Sequence, residues 1–199
     1  MVYDFSKIEI PKEADKVVLH TCCAPCSSAI IKALQSRGVE VIVFFYNPNI
    51  HPLEEYERRK GEIVRYAKSN GIPFFDGDYD TDQWFNYVKG YEDAPERGER
   101  CVRCFELRLM RTADFAHSLG VRYFATTLAS SRWKSLVQIE AAGRKAEAIY
   151  PDICFWHRNW RKDGLQELRQ QIIAEEGFYN QTYCGCLFSR QGRESIVTE

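Results

Sequence analysis

Short apolar runs alternate with longer amphipathic segments along most of this chain. Runs of roughly four to eight apolar or β-branched residues predict strands that are buried on both faces, whereas a period near 3.6 residues predicts helices. Four runs of the first kind are present: Val17 to His20, Val39 to Tyr46, Ile72 to Phe75 and Val121 to Leu128. The helical patterns cover residues 25–37, 53–70, 81–89, 101–119, 134–148 and 163–176.

This order of elements predicts an α/β fold of the Rossmann-like type, a three-layer sandwich with a mostly parallel sheet between two helical layers. In open sheets of this kind, ligands bind beyond the carboxyl ends of the strands. Several groups of reactive residues directly follow a predicted strand. We therefore expect the functional site at that edge of the sheet.

The length of 199 residues and the apolar fraction of 45% fit one α/β domain over residues 1–199. The tail after Gly177 has no clear periodicity, and we expect it to pack back onto the domain and close the site. No run approaches the roughly 18 consecutive apolar residues of a membrane span, and the charged segment Met1 to Asp15 has no signal-peptide core. These features predict a cytoplasmic protein without a membrane partner.

A net charge of -1 gives the molecule no general attraction to phosphate, so an RNA site would have to be a local basic patch. One candidate patch combines cations for phosphate with a ring on which an unstacked base could lie: Arg158, Trp160, Arg161 and Lys162. A second basic strip contains Arg97, Arg100, Arg103, Arg108 and Arg111. Solvated faces of helices and loops are the alternative interpretation of both.

Eight cysteines change the picture, because the cytosol keeps structural disulfides reduced, and metal ligation or redox catalysis then becomes the leading explanation. The first group, Cys22, Cys23 and Cys26, lies where strand one ends and the first helix begins. Pro25 fits a first helical turn, and amides at a helix start stabilise thiolates, so we expect these cysteines to ionise easily. Core packing is the alternative, but adjacent cysteines cannot all face one core.

The second group, Cys101 and Cys104, lies at the start of a predicted helix, where residues three apart share one face and can bind one metal centre. Zinc sites and thioredoxin-type dithiols use the same spacing. In the third group, Gly185 between Cys184 and Cys186 permits the tight backbone that a strained disulfide or a shared metal requires. The three groups contain seven cysteines, which is more than the four ligands of one zinc ion or one cubane cluster, so some of these cysteines have another role.

These cysteines lie within four longer motifs. The motifs are His20-Thr21-Cys22-Cys23-Ala24-Pro25-Cys26, Tyr46-Asn47-Pro48-Asn49-Ile50-His51-Pro52 with Glu55-Tyr56 and Arg59, Arg100-Cys101-Val102-Arg103-Cys104-Phe105, and Tyr183-Cys184-Gly185-Cys186. In combination they are highly specific, and the chain resembles the QueH family, the cobalamin-independent epoxyqueuosine reductases, over nearly its whole length. The resemblance implies a fold similar to the HUP-type nucleotide-binding domains and a 4Fe-4S cluster. It also implies reduction of epoxyqueuosine at the wobble position of tRNA to queuosine, with an unidentified electron donor as a second partner.

The same resemblance implies roles for individual residues. The implied ligands of the 4Fe-4S cluster are Cys22, Cys23, Cys101 and Cys104. Cys184 and Cys186 would form a redox-active pair. An adjacent mononuclear iron is also implied, and its candidate thiolate ligands are Cys26, Cys184 and Cys186. Asp78 and Asp80 are candidate carboxylates for the site, with an Asx-type turn or a helix cap as the alternative.

Reduction of an epoxide to an alkene also consumes protons, and the donors within sequence reach are His20, Tyr183 and the two aspartates. The loop from Asn47 to Pro52 follows the second predicted strand, and its prolines make it stiff, so we expect it to form a wall of the pocket. Cys154 stands apart from the other cysteines, and we interpret it as a structural residue.

Two other classes of protein share parts of this pattern. An ATP-dependent tRNA-thiolating enzyme of similar fold needs a glycine- and serine-rich phosphate loop, whereas this chain has Cys22-Cys23-Ala24-Pro25-Cys26 at that place. A zinc-stabilised RNA-binding domain is the second alternative. Colour separates it from an iron–sulfur protein, since zinc proteins are colourless and 4Fe-4S proteins are brown.

Overall fold

The computed structural model describes residues 3–190, and a five-stranded sheet forms its centre. The strands are, in chain order, β1 (Lys16–His20), β2 (Glu40–Phe45), β3 (Phe74–Asp76), β4 (Tyr123–Thr126) and β5 (Cys154–Phe155). Their order across the sheet is β3-β2-β1-β4-β5, and every neighbouring pair is parallel. The predicted α/β sandwich is therefore confirmed.

Helices cover both faces of this sheet. They are α1 (Ala24–Ser36), α2 (Leu53–Ser69), α3 (Thr81–Val88), α4 (Glu99–Ser118), α5 (Leu136–Glu147) and α6 (Leu165–Glu176). Helices α1, α2 and α6 pack on one face, and α3, α4 and α5 pack on the other. Each predicted helix is present, with both ends within two residues of the predicted ones. Within the described residues, no helix has the length and apolar character needed to cross a membrane.

The central strands are apolar on both sides, which is why they occur in the sequence as continuous apolar runs. In β1, Val17 and Leu19 face the layer of α1, α2 and α6, whereas Val18 faces the opposite layer. All three side chains are fully buried. Because burial of such a side chain is worth about 1.5–3 kcal/mol, the sheet is a firm base for the residues that follow its strands.

Strand β5 is the strand that the sequence pattern did not predict. It has two residues, Cys154 and Phe155, which pair with Tyr123 and Phe124 of β4. Two residues are too few to show a periodicity. Close packing fixes the strand instead, since a Cβ on Gly143 of α5 would lie 2.1 Å from the Phe155 ring.

The direction in which the chain crosses the sheet reverses between β1 and β4. From β1 the chain proceeds to β2 and β3 on one side, and it then returns to β4 and β5 on the other. Strand β4 ends earlier than predicted and continues as a 3-10 turn, Thr127–Ser130. Just beyond the two strands, the Cys22 N–H donates to the Thr127 hydroxyl oxygen at 3.3 Å. Such a switch point leaves a crevice in which a ligand can bind.

Candidate metal centre and catalytic cleft

A cleft of about 370 Å³ lies at this switch point. Its walls come from the start of α1, the start of α4, the segment after β4 and the chain beyond α6. Six of the eight cysteines line it: Cys22, Cys26, Cys101, Cys104, Cys184 and Cys186. All eight cysteines lie within the described residues, and all are free thiols. The three groups that are distant in sequence therefore meet in one place.

The first thiol group is the most compact. The sulfur atoms of Cys22, Cys23 and Cys26 all lie within 4.8 Å of one another, and the Cys22 and Cys23 sulfurs are 3.8 Å apart. Cys23 is the N-cap residue of α1, and Pro25 occupies the first turn, as its fixed φ angle favours. The helix start thus brings Cys26 back over Cys22, and the three thiols could hold a metal ion.

The charge of this group is concentrated on one sulfur. Hydrogen bonds from the Cys23 and Cys26 thiols hold the pKa of Cys22 well below its ordinary value, and the Lys134 and Arg108 cations lower it further. Burial raises the pKa of Cys23, and donation to Cys22 raises the pKa of Cys26 to about 11. Of the three cysteines predicted to ionise easily, Cys22 therefore has a lowered pKa, whereas the pKa values of Cys23 and Cys26 are raised. A bound metal would displace the two remaining protons.

The second thiol group comes from the first two turns of α4, whose N-cap residue is Gly98. The Cys101 sulfur accepts a hydrogen bond from the Arg97 N–H at 3.3 Å, and the Cys104 sulfur lies 4.0 Å from Arg108 Nη1. Burial raises the pKa of Cys101 to about 11. Cys101 and Cys104 thus face the same cleft as Cys22, with the buried Arg108 guanidinium beside them.

The third thiol group consists of Cys184 and Cys186, which influence each other's pKa. The Cys186 thiol donates to Cys184, and this bond is the largest cause that holds the pKa of Cys184 well below its ordinary value and raises that of Cys186. Gly185 between them has a φ of +100°, and a Cβ there would lie 2.8 Å from Ile50 Cγ1 and 3.2 Å from Arg59 Nη1. Glycine is therefore required for both its conformation and its small size.

Arg59 of α2 attaches this third group to the rest of the fold. Its guanidinium is 3% exposed and donates to the carbonyl oxygens of Cys184 at 3.2 Å and Tyr183 at 3.1 Å. The third nitrogen of the guanidinium, Nε, donates to the Glu55 carboxylate at 2.7 Å. The loop before α2 adds a bond from the His51 N–H to the carbonyl oxygen of residue 185 at 2.8 Å. The family motif around Glu55 and Arg59 thus holds the cysteine pair at the cleft.

The segment that follows α6 also reaches the first thiol group. The Gln181 side-chain amide donates to the Cys23 sulfur at 2.9 Å and lies 3.8 Å from the Cys26 sulfur. The Tyr179 N–H donates to the Glu62 carboxylate of α2 at 2.9 Å. Residues 180–184 and Cys186 therefore form one wall of the cleft. Asn49, from the loop after β2, lines the cleft as well.

His20 lies outside the cleft, in the core. Its ring is fully buried, with Nε2–H donating to the Tyr46 carbonyl oxygen at 3.1 Å and Nδ1 accepting from the Thr126 hydroxyl at 2.8 Å. Burial lowers the pKa of His20 to about 3. The neutral ring joins the ends of β1, β2 and β4, and the structure gives it no contact with the cleft.

The two candidate aspartates lie on an exposed loop outside the cleft. The Asp80 carboxylate caps α3, accepting a hydrogen bond from the Gln83 N–H at 3.0 Å. This is the helix cap that the sequence left open as the alternative. Asp80 is therefore a helix cap, and neither aspartate lines the cleft with the cysteines.

The predicted stacking of an RNA base on Trp160 needs correction. Trp160 is 1% exposed and packs against Trp156, with ring centroids 5.8 Å apart. Arg158 covers the Trp160 ring and pairs with Asp163 at 2.5 Å. The sequence pattern could not distinguish this buried aromatic pair from an exposed one.

Arg161 is likewise occupied within the fold. Its guanidinium donates to the carbonyl oxygens of Ser131 and of Lys134, the latter at 2.8 Å. Lys162 is exposed, so it is the member of the predicted patch that faces solvent. Arg161 therefore supports the segment that follows β4 and is a structural residue in this conformation.

Several residues of the cleft were not predicted as site residues. Lys134, Trp133 and Gln181 line it, although no motif marks them. Their signal is positional, because Trp133 and Lys134 follow the carboxyl end of β4. Of the second basic strip, Arg97 is exposed at the rim, whereas Arg108 is buried and bonds to Asn47.

Fold and site together define a class, the Rossmann-like α/β proteins with a thiol-lined cleft at the topological switch point. The model of the family described as epoxyqueuosine reductase QueH matches residues 17–192. A protein of that name from Acinetobacter baylyi is 48% identical over 199 residues, 96% of this chain and 91% of the relative. The protein of that name from Haemophilus influenzae is 47% identical over 92% of this chain and 75% of its own length. The one from Thermotoga maritima is 39% identical over 87% of this chain and 89% of its own length. The chain belongs to the QueH family.

Proposed function

We propose that this protein is an epoxyqueuosine reductase, which converts the epoxide of epoxyqueuosine at the wobble position of tRNA to the alkene of queuosine. The proposal rests on the meeting of three thiol groups in one cleft, in a chain of the QueH family. The reaction takes up two electrons and two protons, breaks both C–O bonds, forms the C=C bond and releases the oxygen as water. The site must therefore supply electrons and protons to a bound nucleoside.

The thiols fit an iron–sulfur cofactor in number and in chemical type, because soft thiolate ligands suit such clusters. We assign four of them to a 4Fe-4S cluster: Cys22, Cys23, Cys101 and Cys104. When bound, the cluster would supply electrons one at a time. A partner outside the chain, the electron donor, would reduce it again. The compact first group and the helix start of α4 support this assignment, since both place sulfur atoms on rigid elements at the switch point.

Cys26, Cys184 and Cys186 are then available for a second redox centre, either as a dithiol pair or as ligands of an adjacent mononuclear iron. Cys184 and Cys186 support both roles, because they flank Gly185 and both line the cleft. A store for the second electron would let the epoxide be reduced without release of a radical.

Lys134 is the best placed source of positive charge for the leaving oxygen. Its side chain lines the cleft, and its charge adds to the hydrogen bonds that lower the pKa of Cys22 and of Cys184. The ammonium group would stabilise negative charge on the epoxide oxygen as the C–O bond breaks, and it would donate a proton to that oxygen. His20 does not serve this role, because both of its ring nitrogens are bonded within the core.

The experiment is an anaerobic assay with the iron–sulfur-loaded protein, a chemical reductant and tRNA that carries epoxyqueuosine. We expect mass spectrometry of the digested nucleosides to show loss of one oxygen atom and accumulation of queuosine. The absorption spectrum and the iron and sulfide content per chain are measured on the same sample. A colourless zinc protein that leaves the epoxide intact would contradict the proposal and favour the RNA-binding class instead.

A further inference from the structure

Trp133 differs from the other tryptophans of the chain in its exposure. Its side chain is 62% exposed, whereas Trp84, Trp156 and Trp160 are exposed by 6% or less. It lies on the rim of the cleft, in the segment between β4 and α5. A large exposed aromatic residue beside a functional cleft is typical of a contact surface, because its apolar area gains most when a partner covers it.

The backbone that carries Trp133 is held from two sides. Arg97 donates to the carbonyl oxygens of Trp133 at 2.8 Å and Arg132 at 3.0 Å. From the other side, Arg161 donates to the carbonyl oxygens of Ser131 and Lys134. These bonds fix residues 131–134 relative to α4 and to the segment before α6. The exposed ring is thus presented by an ordered backbone.

The surroundings of the ring are positively charged. The Arg132 guanidinium lies 4.7 Å from the centroid of the Trp133 ring, and Lys134 and Arg169 line the cleft beside it. Glu96 is the one acidic residue among the described residues that line the cleft. A flat aromatic surface with cations around it favours a partner that combines π-faces with negative charge, which describes a single-stranded nucleic acid.

We propose that Trp133 stacks on a nucleobase next to the modified nucleotide, while Arg132 contacts a phosphate that flanks it. This surface is the rim 131–134, and its partner is the unpaired anticodon loop of an RNA. The inference rests on the proposed function, because the rim borders the cleft in which that nucleoside would react. Trp133 thus takes the place of the buried Trp160 as the proposed aromatic contact for RNA.

The test measures binding of an anticodon stem-loop RNA carrying epoxyqueuosine to the iron–sulfur-loaded protein. Trp133→Ala should weaken binding by roughly tenfold or more, as loss of one base-stacking contact does, whereas Trp133→Phe should keep most of the affinity. The slope of log affinity against log salt concentration reports the number of phosphate contacts. Arg132→Ala should reduce the magnitude of that slope by the amount expected for one lost phosphate contact, and Trp133→Ala should leave it unchanged. Val137→Ala, at another exposed apolar residue, is the matched control and should bind normally.

Fluorescence gives a second readout on the same samples. Because the other three tryptophans are buried, RNA binding should change the emission and the quencher accessibility mainly of Trp133. This change should be absent in Trp133→Phe. Iron and sulfide content per chain should be equal in all variants, since Arg132, Trp133 and Val137 are not among the proposed cluster ligands.

The outcomes separate this inference from the proposed function. If the unsubstituted protein reduces epoxyqueuosine and Trp133→Ala binds the RNA equally well, the inference is wrong and the proposed function stands. If Trp133→Ala binds RNA normally but reacts slowly with a protein electron donor and at the normal rate with a chemical reductant, the rim contacts the donor and the inference is again wrong. If no reduction occurs but Trp133→Ala weakens RNA binding, the proposed function fails and the contact surface stands.

Discussion

The site of Cys22 and Cys23 and the site of Cys184 and Cys186 differ in what holds their sulfur atoms. At the first site, regular structure does so, because β1 ends in the core and α1 begins at Ala24. At the second site the backbone is irregular, and Arg59, 125 positions before Cys184, holds it by side-chain hydrogen bonds. Sites on strands and helices are more precise than sites on loops, whereas a segment held by a few hydrogen bonds opens more readily.

This difference indicates a division of labour between the two sites. A cubane cluster needs ligands whose positions do not change through the catalytic cycle, which suits the end of β1 and the starts of α1 and α4. A thiol pair that exchanges electrons with a substrate or a donor must change its bonding and tolerate small movements, which suits the segment around Gly185. Substitutions at each site should therefore have different signatures.

Loss of a thiol from the rigid site has the largest expected effect. Cys22→Ala should remove or cripple the 4Fe-4S cluster and abolish turnover, because an iron would lose a ligand. The same is expected for Cys23→Ala, Cys101→Ala and Cys104→Ala. Absorption spectra and iron counting under anaerobic conditions measure this effect. If all four variants stay as brown as the unsubstituted protein, the ligand assignment is wrong.

Cys154→Ala is the matched control for these variants. Its thiol lies on β5, outside the residues that line the cleft. The variant should keep colour and turnover and lose at most a modest amount of stability.

Loss of the Arg59 guanidinium is expected to affect mainly the second site, whose carbonyl oxygens it bonds. Arg59→Lys removes the fork that bonds the carbonyl oxygens of Tyr183 and Cys184, because one ammonium group cannot reproduce its geometry. Turnover should fall at least tenfold, while the iron and sulfide content stays unchanged. Equal loss of cluster and turnover would show that the second site is also needed to hold the cluster.

A second variant keeps this prediction testable if Arg59→Lys folds poorly. Lysine keeps the positive charge but leaves some buried acceptors of the Arg59 fork unbonded, which costs about 1–3 kcal/mol for each, including on the residue that forms an ion pair with Arg59. Glu55 is that partner, with 11% of its side chain exposed. The double variant Arg59→Met/Glu55→Gln removes both charges and should show the same loss of turnover with a smaller loss of stability.

Gly185→Ala should have a smaller effect in the same direction. Its Cβ would enter the space of Ile50 and Arg59, so the cysteine pair should be displaced and turnover should fall severalfold with the cluster retained. Gly120→Ala is the matched control, because its φ of +65° is also positive and costs an L side chain about 1–2 kcal/mol, but its Cβ meets nothing within 4 Å. Both should lose stability, measured by denaturant unfolding, and only Gly185→Ala should lose turnover.

The sequence predicts the first of the two sites much better than the second. Helix starts, proline at the first turn and apolar runs are local signals, so the positions of Cys22, Cys26 and Cys104 follow from residues close to them. Strand β5, the buried ring of Trp160 and the exposed ring of Trp133 depend on packing between distant segments. The same is true of Arg59, because the spacing of its motif does not indicate its contacts with residues 183 and 184.

The charge states of the thiols also could not be predicted from position alone. A helix start favours a thiolate, but Cys23 and Cys26 donate to Cys22, so one sulfur takes the charge for the group. At Cys101, which also lies near a helix start, burial raises the pKa of the thiol. These results depend on distances between sulfur atoms, which the sequence does not give.

The most direct test of the account is the double variant Cys184→Ser/Cys186→Ser, loaded with iron and sulfide under anaerobic conditions. We predict that it keeps the cluster absorbance and the RNA affinity of the unsubstituted protein but no longer converts epoxyqueuosine to queuosine. Iron counted on the same sample distinguishes the two roles of the pair, since one iron fewer per chain indicates ligation of a mononuclear iron. Loss of the cluster, or normal turnover, would contradict the proposed division of labour between the two sites.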